Sequence, residues 1–216
     1  MVRYKEHEAT LTGHKRPFRA LHVESLETRI YRKRRGIMTA KDCIMGRRSI
    51  RSFDDKPISE DVLKEIVTEA SYAPSWKHTQ ITRYVAVTGE LKEKIASECC
   101  NAYAPNADII RSAAVLMVVT FIKNRSGFER DGSYSTHREG GWQLFDTGIA
   151  TQTLCLSAYD HGISSVILGI FDDEKVASLL ELPEDREAVV LVPMGYSSQT
   201  PVAPKRKSID ELLEFK

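Results

Sequence analysis

The chain has 216 residues, of which 42% are hydrophobic and 28% are charged. This length is typical of one domain, whose core is large enough to need no disulfide or metal ion to hold it together. The longest purely apolar run covers residues 113–119, which is too short for a transmembrane helix. The N-terminus is basic and polar and lacks the apolar segment of a secretory signal. We therefore expect a cytoplasmic protein that does not span a membrane.

The net charge of +1 hides an uneven distribution. Residues 1–37 hold ten Lys or Arg and four acids, a net charge of +6, whereas residues 38–216 carry −5. We expect residues 1–37 to be a basic arm that is either poorly ordered or an extension upstream of a native start at Met38. A nucleic-acid-binding arm is the alternative, but the segment contains no known reader motif, which disfavours this partner. Residues 38–216 are predicted to form the folded domain.

The body opens with signals for two helices. Thr39 is a candidate N-cap for a short helix over 41–47, and Ser59 with the acids that follow it marks the start of a second. The second helix has one apolar face, and Pro74 ends it. The next predicted elements are a strand, a helix and a buried strand: 84–87, 91–99 and 113–121.

A polar, glycine-rich stretch over residues 123–141 follows. A loop of this length in a compact domain is usually either a functional lid or disordered. Residues 142–159 then predict a long, largely apolar helix, which we expect in the core or at an interface. The remaining elements alternate strand and helix and end in a short amphipathic helix: 164–170, 173–181, 188–194 and 209–215. Interleaved helices and strands indicate an α/β or α+β fold.

Common catalytic patterns are missing from the sequence. It contains no GxGxxG, no GxxxxGK[ST], no HExxH and no GxSxG. The six histidines form no i, i+4 pair, and the four cysteines show no metal-ligand spacing. We therefore predict no metal site, no serine-triad chemistry and four reduced thiols.

Three arginines and a hydroxyl cluster in the stretch Gly46-Arg47-Arg48-Ser49-Ile50-Arg51-Ser52-Phe53. Arginine side chains match phosphate oxygens geometrically, and each charged hydrogen bond contributes about 1.5–3 kcal/mol. If the stretch is extended, Arg47, Ser49 and Arg51 point to one side. A solvated basic turn is the alternative interpretation. A second basic cluster, Lys205-Arg206-Lys207, is either a further phosphate contact or a solvated tail.

Residues 73–80, Ala-Pro-Ser-Trp-Lys-His-Thr-Gln, join a helix to a strand. They combine amides, hydroxyls and an aromatic ring between two ordered elements. This set suits a planar ligand that is held by stacking and by hydrogen bonds to its edge. An ordinary connection with one core tryptophan would have the same composition.

Together these stretches resemble the FMN-dependent nitroreductase family. The resemblance rests on four motifs in order: Arg-Arg-Ser-Ile-Arg-Ser-Phe at 47–53, Ala-Pro-Ser leading to Gln80, Val-Ile-Leu-Gly-Ile-Phe-Asp at 166–172, and Met-Gly-Tyr at 194–196 before the second basic cluster. It covers residues 40–216. It implies an α+β, three-layer sandwich with a mostly antiparallel central sheet between helices, in an intertwined homodimer with FMN at the interface.

The resemblance also implies which residues hold the cofactor. The first arginine cluster and the C-terminal lysines would bind the FMN phosphate and ribityl chain. The stretch after Pro74 would approach the flavin from the other subunit, Gln80 and Asn106 would bond its edge, and the backbone at 168–169 would lie over the ring. The expected FMN-binding residues are Arg47, Arg48, Ser49, Arg51, Pro74, Ser75, Trp76, His78, Gln80, Asn106, Leu168, Gly169, Lys205 and Lys207.

Two positions depart from the family pattern. His78 stands where the family usually has Asn, which predicts a larger and titratable contact to the flavin. Ile81-Thr82 replaces the usual Pro-Trp, which predicts a different pocket wall.

The resemblance implies an NAD(P)H nitroreductase or quinone reductase in which the cofactor carries the redox chemistry. Hydride from NADH or NADPH would pass through FMN to a small conjugated acceptor, such as a nitroaromatic or a quinone, with no dedicated acid–base residue. Two alternatives remain open. One is another flavin reaction, namely enone reduction, dehalogenation or heterocycle oxidation, and the other is flavin binding without turnover. Phe128, Tyr134 and Trp142 would belong to a lid over the pocket.

Overall fold

The computed structural model describes residues 38–216, so the expectations for the arm lie outside the described residues. Helix α1 (Ala40–Gly46) starts at Thr39, whose hydroxyl accepts from the Asp42 N–H at 3.1 Å while Asp42 Oδ2 accepts from the Thr39 N–H at 2.9 Å. Helix α2 (Glu60–Ala70) is capped by the Ser59 hydroxyl. Both helix starts confirm the N-caps that the sequence predicts.

The rest of the chain follows the predicted order except at one helix and one strand. A short 3₁₀ turn at Trp76–His78 precedes the first strand. The elements that follow are β1 (Thr82–Val87), α3 (Gly89–Cys99), α4 (Pro105–Ser112), β2 (Val115–Ile122), α5 (Gly141–Asp160), β3 (Ser164–Ser165), α6 (Asp173–Leu179), β4 (Arg186–Gly195) and α7 (Ile209–Leu212).

The first difference is helix α4, which the sequence prediction misses. It has eight residues with Pro105 in the first turn, so too few apolar residues repeat for a helical period to show. The second concerns the predicted strand over 164–170, which is wrong beyond β3. Leu168 forms a single bridge to Leu191, and Ile170 is exposed. An apolar run identifies hydrophobic chain but does not fix regular strand pairing.

The four strands form one antiparallel sheet in the order β1-β2-β4-β3. Strand β2 is central, and its alternate residues feed two separate cores. Met117 and Val119 pack with α2 and α5 on one face, whereas Leu116 and Val118 pack with α3, α4 and α6 on the other. This is a three-layer α+β sandwich, which confirms the fold class expected from the resemblance.

Helix α5 has 20 residues and two different sides. Leu154 and Ala158 are buried against α2 and the sheet, whereas Leu144 and Phe145 are 54% and 58% exposed. The helix ends at His161, and Gly162 follows with a φ of +73°, a left-handed conformation that glycine adopts without strain. The expectation that this helix lies in the core is therefore confirmed for one side.

Within residues 38–216, no helix combines the length and apolar character needed to cross a bilayer. The four cysteines are free and buried.

Candidate functional site

The first arginine cluster begins where α1 packs against the end of α5. Gly46 allows the close approach, because a Cβ at this position would lie 2.6 Å from the Tyr159 hydroxyl and the tyrosine ring would have to shift. The Arg48 guanidinium donates to the carbonyls of Met45 and Arg47 at 2.7 and 2.8 Å. The side chain of Arg48 therefore fixes the turn that presents the rest of the cluster.

After this turn the chain is extended. Ser49 forms a parallel bridge to Ser165, and the Ile50 N–H donates to the Ser165 carbonyl at 3.1 Å. Ile50 is buried, whereas Ser49 and Arg51 are exposed. The alternation therefore turns Ser49 and Arg51 outward, as the sequence predicts.

Arg47 borders a cleft of about 360 Å³ that Ser165 and Tyr159 also line. The Nε atom of Arg47 is buried and finds no hydrogen-bond partner among the described residues. The Ser165 hydroxyl is buried as well, and its polar neighbour is the thiol of Cys155, a weak hydrogen-bonding group. Burial raises the pKa of that thiol, and Ser165 and Arg47 oppose the rise. A buried guanidinium N–H without a partner is costly, which marks Arg47 at the edge of the cleft as a candidate to bind an acceptor group.

The segment after β3 presents backbone at the surface. Leu168 is buried and exchanges two hydrogen bonds with Leu191, at 2.8 and 3.0 Å. Asn106 is buried and donates from Nδ2 to the Ile170 carbonyl at 2.9 Å. Gly169 between them is exposed, and a Cβ there would meet no atom within 4 Å. The backbone at Gly169 is therefore firmly held and sterically open.

The segment from Pro74 to Gln80 has an unusual backbone. Lys77, His78 and Gln80 have φ values of +43°, +58° and +48°, a left-handed region that costs roughly 1–3 kcal/mol for each such residue. The Gln80 N–H donates to Ser75 Oγ at 2.9 Å, and the Gln80 and His78 Nε2 atoms lie 3.0 Å apart. Such strain persists where surrounding contacts impose it, and it is typical of functional segments.

One buried carboxylate on α5 accepts hydrogen bonds that support this segment. Asp146 on α5 is 3% exposed, and its Oδ2 accepts from the Trp76 N–H at 2.9 Å and from Ser126 Oγ at 2.6 Å. Thr79 Oγ1 lies 2.6 Å from Ser126 Oγ and donates to it, because the Ser126 proton is directed at Asp146. The sequence analysis missed Asp146. The available signal was that it is the only charged residue between Trp142 and Tyr159.

The loop over 123–141 is ordered against the same segment. Phe128 and Tyr134 pair across it with ring centroids 4.9 Å apart, and the ring of Trp142 lies 4.7 Å from that of Trp76. Glu129 accepts from Lys77 Nζ at 3.0 Å. The Ser135 hydroxyl and, secondarily, Lys77 lower the pKa of Glu129. Of the two expectations for this loop, the disordered one is therefore wrong.

Two groups of the predicted site residues lie at opposite ends of α5. The arginine cluster shares its cleft with Tyr159, whereas Trp76 is bonded to Asp146. These two α5 residues are thirteen positions apart, which is about 20 Å along the helix axis. Lys205 and Lys207 lie in a tail that is exposed from residue 198 to 216. One chain therefore does not gather all the predicted residues into one compact site.

Comparison with known proteins places this arrangement in a family. The model of the nitroreductase family matches residues 44–106 and 100–196. The chain belongs to the nitroreductase family. YdgI of Bacillus subtilis, provisionally named as an NAD(P)H nitroreductase, is 28% identical over 206 residues and covers 81% of this chain and 96% of its own. A nitrobenzene nitroreductase of Ectopseudomonas oleovorans is 42% identical over 62 residues, 29% of this chain and 27% of its own.

Solved structures of nitroreductase-family proteins share the fold. A family member from Streptococcus pneumoniae has a TM-score of 0.72 at 21% identity and covers 82% of this chain and 100% of its own. A protein from Exiguobacterium sibiricum, crystallised in complex with FMN, has a TM-score of 0.70 at 20% identity, with coverages of 83% and 98%. The family resemblance predicted from the sequence is confirmed.

Proposed function

We propose that this member of the nitroreductase family is a flavin oxidoreductase. It binds FMN and passes hydride from NADH or NADPH to a small conjugated acceptor such as a nitroaromatic or a quinone. The observation that carries the proposal is the open cleft lined by Arg47, whose buried Nε has no partner among the described residues, with the exposed Ser49 and Arg51 close to it in the chain. That donor set fits a phosphate, which accepts several charged hydrogen bonds at once.

The residues present fit the cofactor at its phosphate end. Arg47, Ser49 and Arg51 would hold the phosphate and ribityl chain. Lys205 and Lys207 are free to approach because their tail is exposed. The guanidinium of Arg48 is already bonded to two carbonyls, so we assign it to the shape of the turn.

The residues also fit at the ring end. Gly169 offers backbone without a side chain, and Leu168 and Asn106 keep that backbone in place through Leu191 and Ile170. Close approach of a flat ring to backbone is one of the recurrent reasons for glycine. When bound, FMN supplies the chemistry of hydride acceptance and donation. The side chains described here bind it, orient it and limit its contact with water.

The separation of the two residue groups supports a homodimer. Leu144 and Phe145 expose apolar side chains on α5 at its Asp146 end. In a twofold dimer whose α5 helices pack antiparallel, the Asp146 end of one helix lies beside the Tyr159 end of its partner. Each complete site would then take the arginine cluster from one protomer and the segment Pro74–Gln80 from the other.

The acceptor pocket is proposed to lie under the loop over 123–141. Trp142 packs against Trp76 of the segment that would contact the flavin, and Phe128 and Tyr134 pair with each other within the loop. Such rings suit a planar conjugated acceptor. The four free, buried cysteines agree with the reducing conditions of the cytoplasm.

The deciding experiment is anaerobic titration of the purified protein, supplied with FMN, with NADH and then NADPH. We expect a bound flavin spectrum that bleaches with at least one donor and recovers when a nitroaromatic or quinone is added. Recovery of the bleached flavin with enones or halogenated aromatics alone, or bleaching by a reduced heterocycle in place of NAD(P)H, would favour the other flavin reactions. Bound flavin that neither donor bleaches would favour binding without turnover, and failure to bind FMN would contradict the proposal.

A further inference from the structure

We propose that Asp146 is a positioning residue that holds the segment Ser75–Gln80 in the shape that meets the flavin. The inference rests on the proposed function, because it takes FMN as the ligand of this segment. Asp146 itself is 3% exposed. It would act on the cofactor through the backbone it supports.

Within the segment, the His78 N–H donates to the Ser75 carbonyl at 3.0 Å and the Thr79 N–H to the Trp76 carbonyl at 2.9 Å, but these bonds do not attach the segment to the rest of the fold. Lys77 and His78 are consecutive residues in the left-handed region, and neither is a glycine. L-residues with side chains rarely adopt this conformation. The hydrogen bond from the Gln80 N–H to Ser75 Oγ closes the segment, but it fixes neither of the two left-handed residues directly.

Asp146 brackets these two residues. Its Oδ2 accepts from the Trp76 N–H, immediately before them, at 2.9 Å. Through Ser126 Oγ, at 2.6 Å, it also holds Thr79, immediately after them. A carboxylate is suited to this position because it only accepts hydrogen bonds and forms stronger ones than a neutral group.

Loss of Asp146 should affect the bound flavin differently from loss of the arginine cluster. Pro74, His78 and Gln80 are exposed around this segment, so loosening it changes contacts at the ring edge and leaves the phosphate contacts in place. Loss of Asp146 should therefore alter the spectrum of the flavin that remains bound. Loss of the arginines should lower occupancy but leave the spectrum of the bound fraction unchanged.

The test compares Asp146→Ala, Asp146→Asn and Ser126→Ala with wild type in FMN binding, followed by flavin fluorescence, and in absorption at saturating FMN. We expect Asp146→Ala to raise the dissociation constant on the order of 10- to 100-fold and to shift the bound spectrum towards that of free FMN. Asp146→Asn keeps one accepting oxygen, so its FMN affinity and its bound spectrum should lie between those of Asp146→Ala and wild type. The matched control is Thr151→Val, which removes a buried hydroxyl bonded within α5 to the Thr147 carbonyl. Wild-type affinity and spectrum in Asp146→Ala would overturn the inference.

A second measurement separates this inference from the proposed function. Hydrogen exchange of the full chain without FMN should show amides 76–80 exchanging at least about 10-fold faster in Asp146→Ala, with those of β2 unchanged. If wild type fails to bind FMN, the proposed function fails, and exchange still decides the role of Asp146. If Asp146→Ala does not fold, Ser126→Ala and Asp146→Asn give the same readout. Unchanged exchange at 76–80 in the folded variants would contradict the positioning role.

Discussion

The two ends of helix α5 bury polar groups in opposite ways. Beside Tyr159, Arg47 Nε and the Ser165 hydroxyl are buried without a strong partner of their own. Beside Asp146, the carboxylate, Ser126 and Thr79 satisfy one another and the Trp76 N–H. The first end leaves a guanidinium N–H and a hydroxyl without a strong partner. At the second end the carboxylate network is satisfied and imposes a strained backbone, and of its groups only the buried indole Nε1 of Trp76 lacks a partner among the described residues.

This difference predicts separate costs for substitutions at the two ends. A buried polar group without a partner lowers stability, so its removal costs the folded protein little. Removal of the acceptor from a satisfied network leaves donors buried and unpaired, which costs about 1–3 kcal/mol per group. The arginine end should therefore govern ligand binding, and the Asp146 end should govern both stability and binding.

The largest expected effect is at the arginine end. Arg47→Ala with Arg51→Ala removes two charged contacts of about 1.5–3 kcal/mol each, so FMN affinity should fall at least about 100-fold. Without FMN, the urea-unfolding free energy should stay within about 1 kcal/mol of wild type. Lys64→Ala with Lys94→Ala removes the same charge from exposed sites outside the cleft and should change neither quantity. Undiminished FMN occupancy in the arginine double variant would contradict the phosphate assignment.

The next effect is at the satisfied end. Asp146→Ala should lower the unfolding free energy without FMN by about 2–4 kcal/mol, because the Ser126 hydroxyl and the Trp76 N–H lose their acceptor. Urea unfolding followed by tryptophan fluorescence measures this. A loss no larger than that of the arginine double variant would show that the two ends do not differ as described.

A smaller effect is expected at Gly169. A substitution there tests whether the flavin ring lies over this exposed backbone. Gly169→Val should leave stability nearly unchanged, because a Cβ there meets no atom within 4 Å. FMN affinity should fall about 10-fold if the ring lies over this backbone. Thermal unfolding with and without FMN gives both values, since the stabilisation by ligand should shrink with affinity. Equal stabilisation in both proteins would place the ring elsewhere.

The smallest effect concerns Ser157. It tests whether the effect of a substitution on FMN affinity depends on the hydrogen-bond partner of the residue or on its position along α5. Ser157 lies near the Tyr159 end but donates to Glu69 Oε2 at 2.5 Å, and this bond, with a smaller contribution from His161, lowers the pKa of Glu69. A lowered pKa in the folded state adds stability above about pH 4.5, and this stability is lost as the pH falls through the folded value. Ser157→Ala should flatten the acid limb of the stability–pH curve. At neutral pH it should cost less than about 1 kcal/mol, since Glu69 is half-exposed. FMN affinity should not change, and an altered affinity would count against the division of roles.

Much of the fold could be predicted from the sequence because its signals are local. The N-caps at Thr39 and Ser59 and the apolar strand β2 are each written in a few neighbouring residues. Helix α4 was missed because eight residues give no clear period. The strand after β3 was overextended because apolar character does not specify pairing.

The candidate site was only partly predictable. The arginine motif and Gly169 could be found as motifs, because their chemistry is carried by adjacent residues. The role of Asp146 could not, since it depends on contacts with residues 70 and 20 positions away in the chain. The separation of the site into two ends follows from the length of α5 and from what packs beside each end. The length of α5 is predicted closely from the sequence, over 142–159, whereas what packs beside each end cannot be deduced from spacing.

The most direct test mixes two variant subunits. Arg47→Ala with Arg51→Ala damages one end, and Asp146→Ala damages the other, so neither homodimer has an intact site. In a mixed dimer with sites shared between protomers, one site is doubly damaged and the other is intact. After random re-association, the account predicts that about one quarter of all sites bind FMN with wild-type affinity and spectrum. Occupancy no greater than the average of the two separate variants would contradict a site built from both protomers.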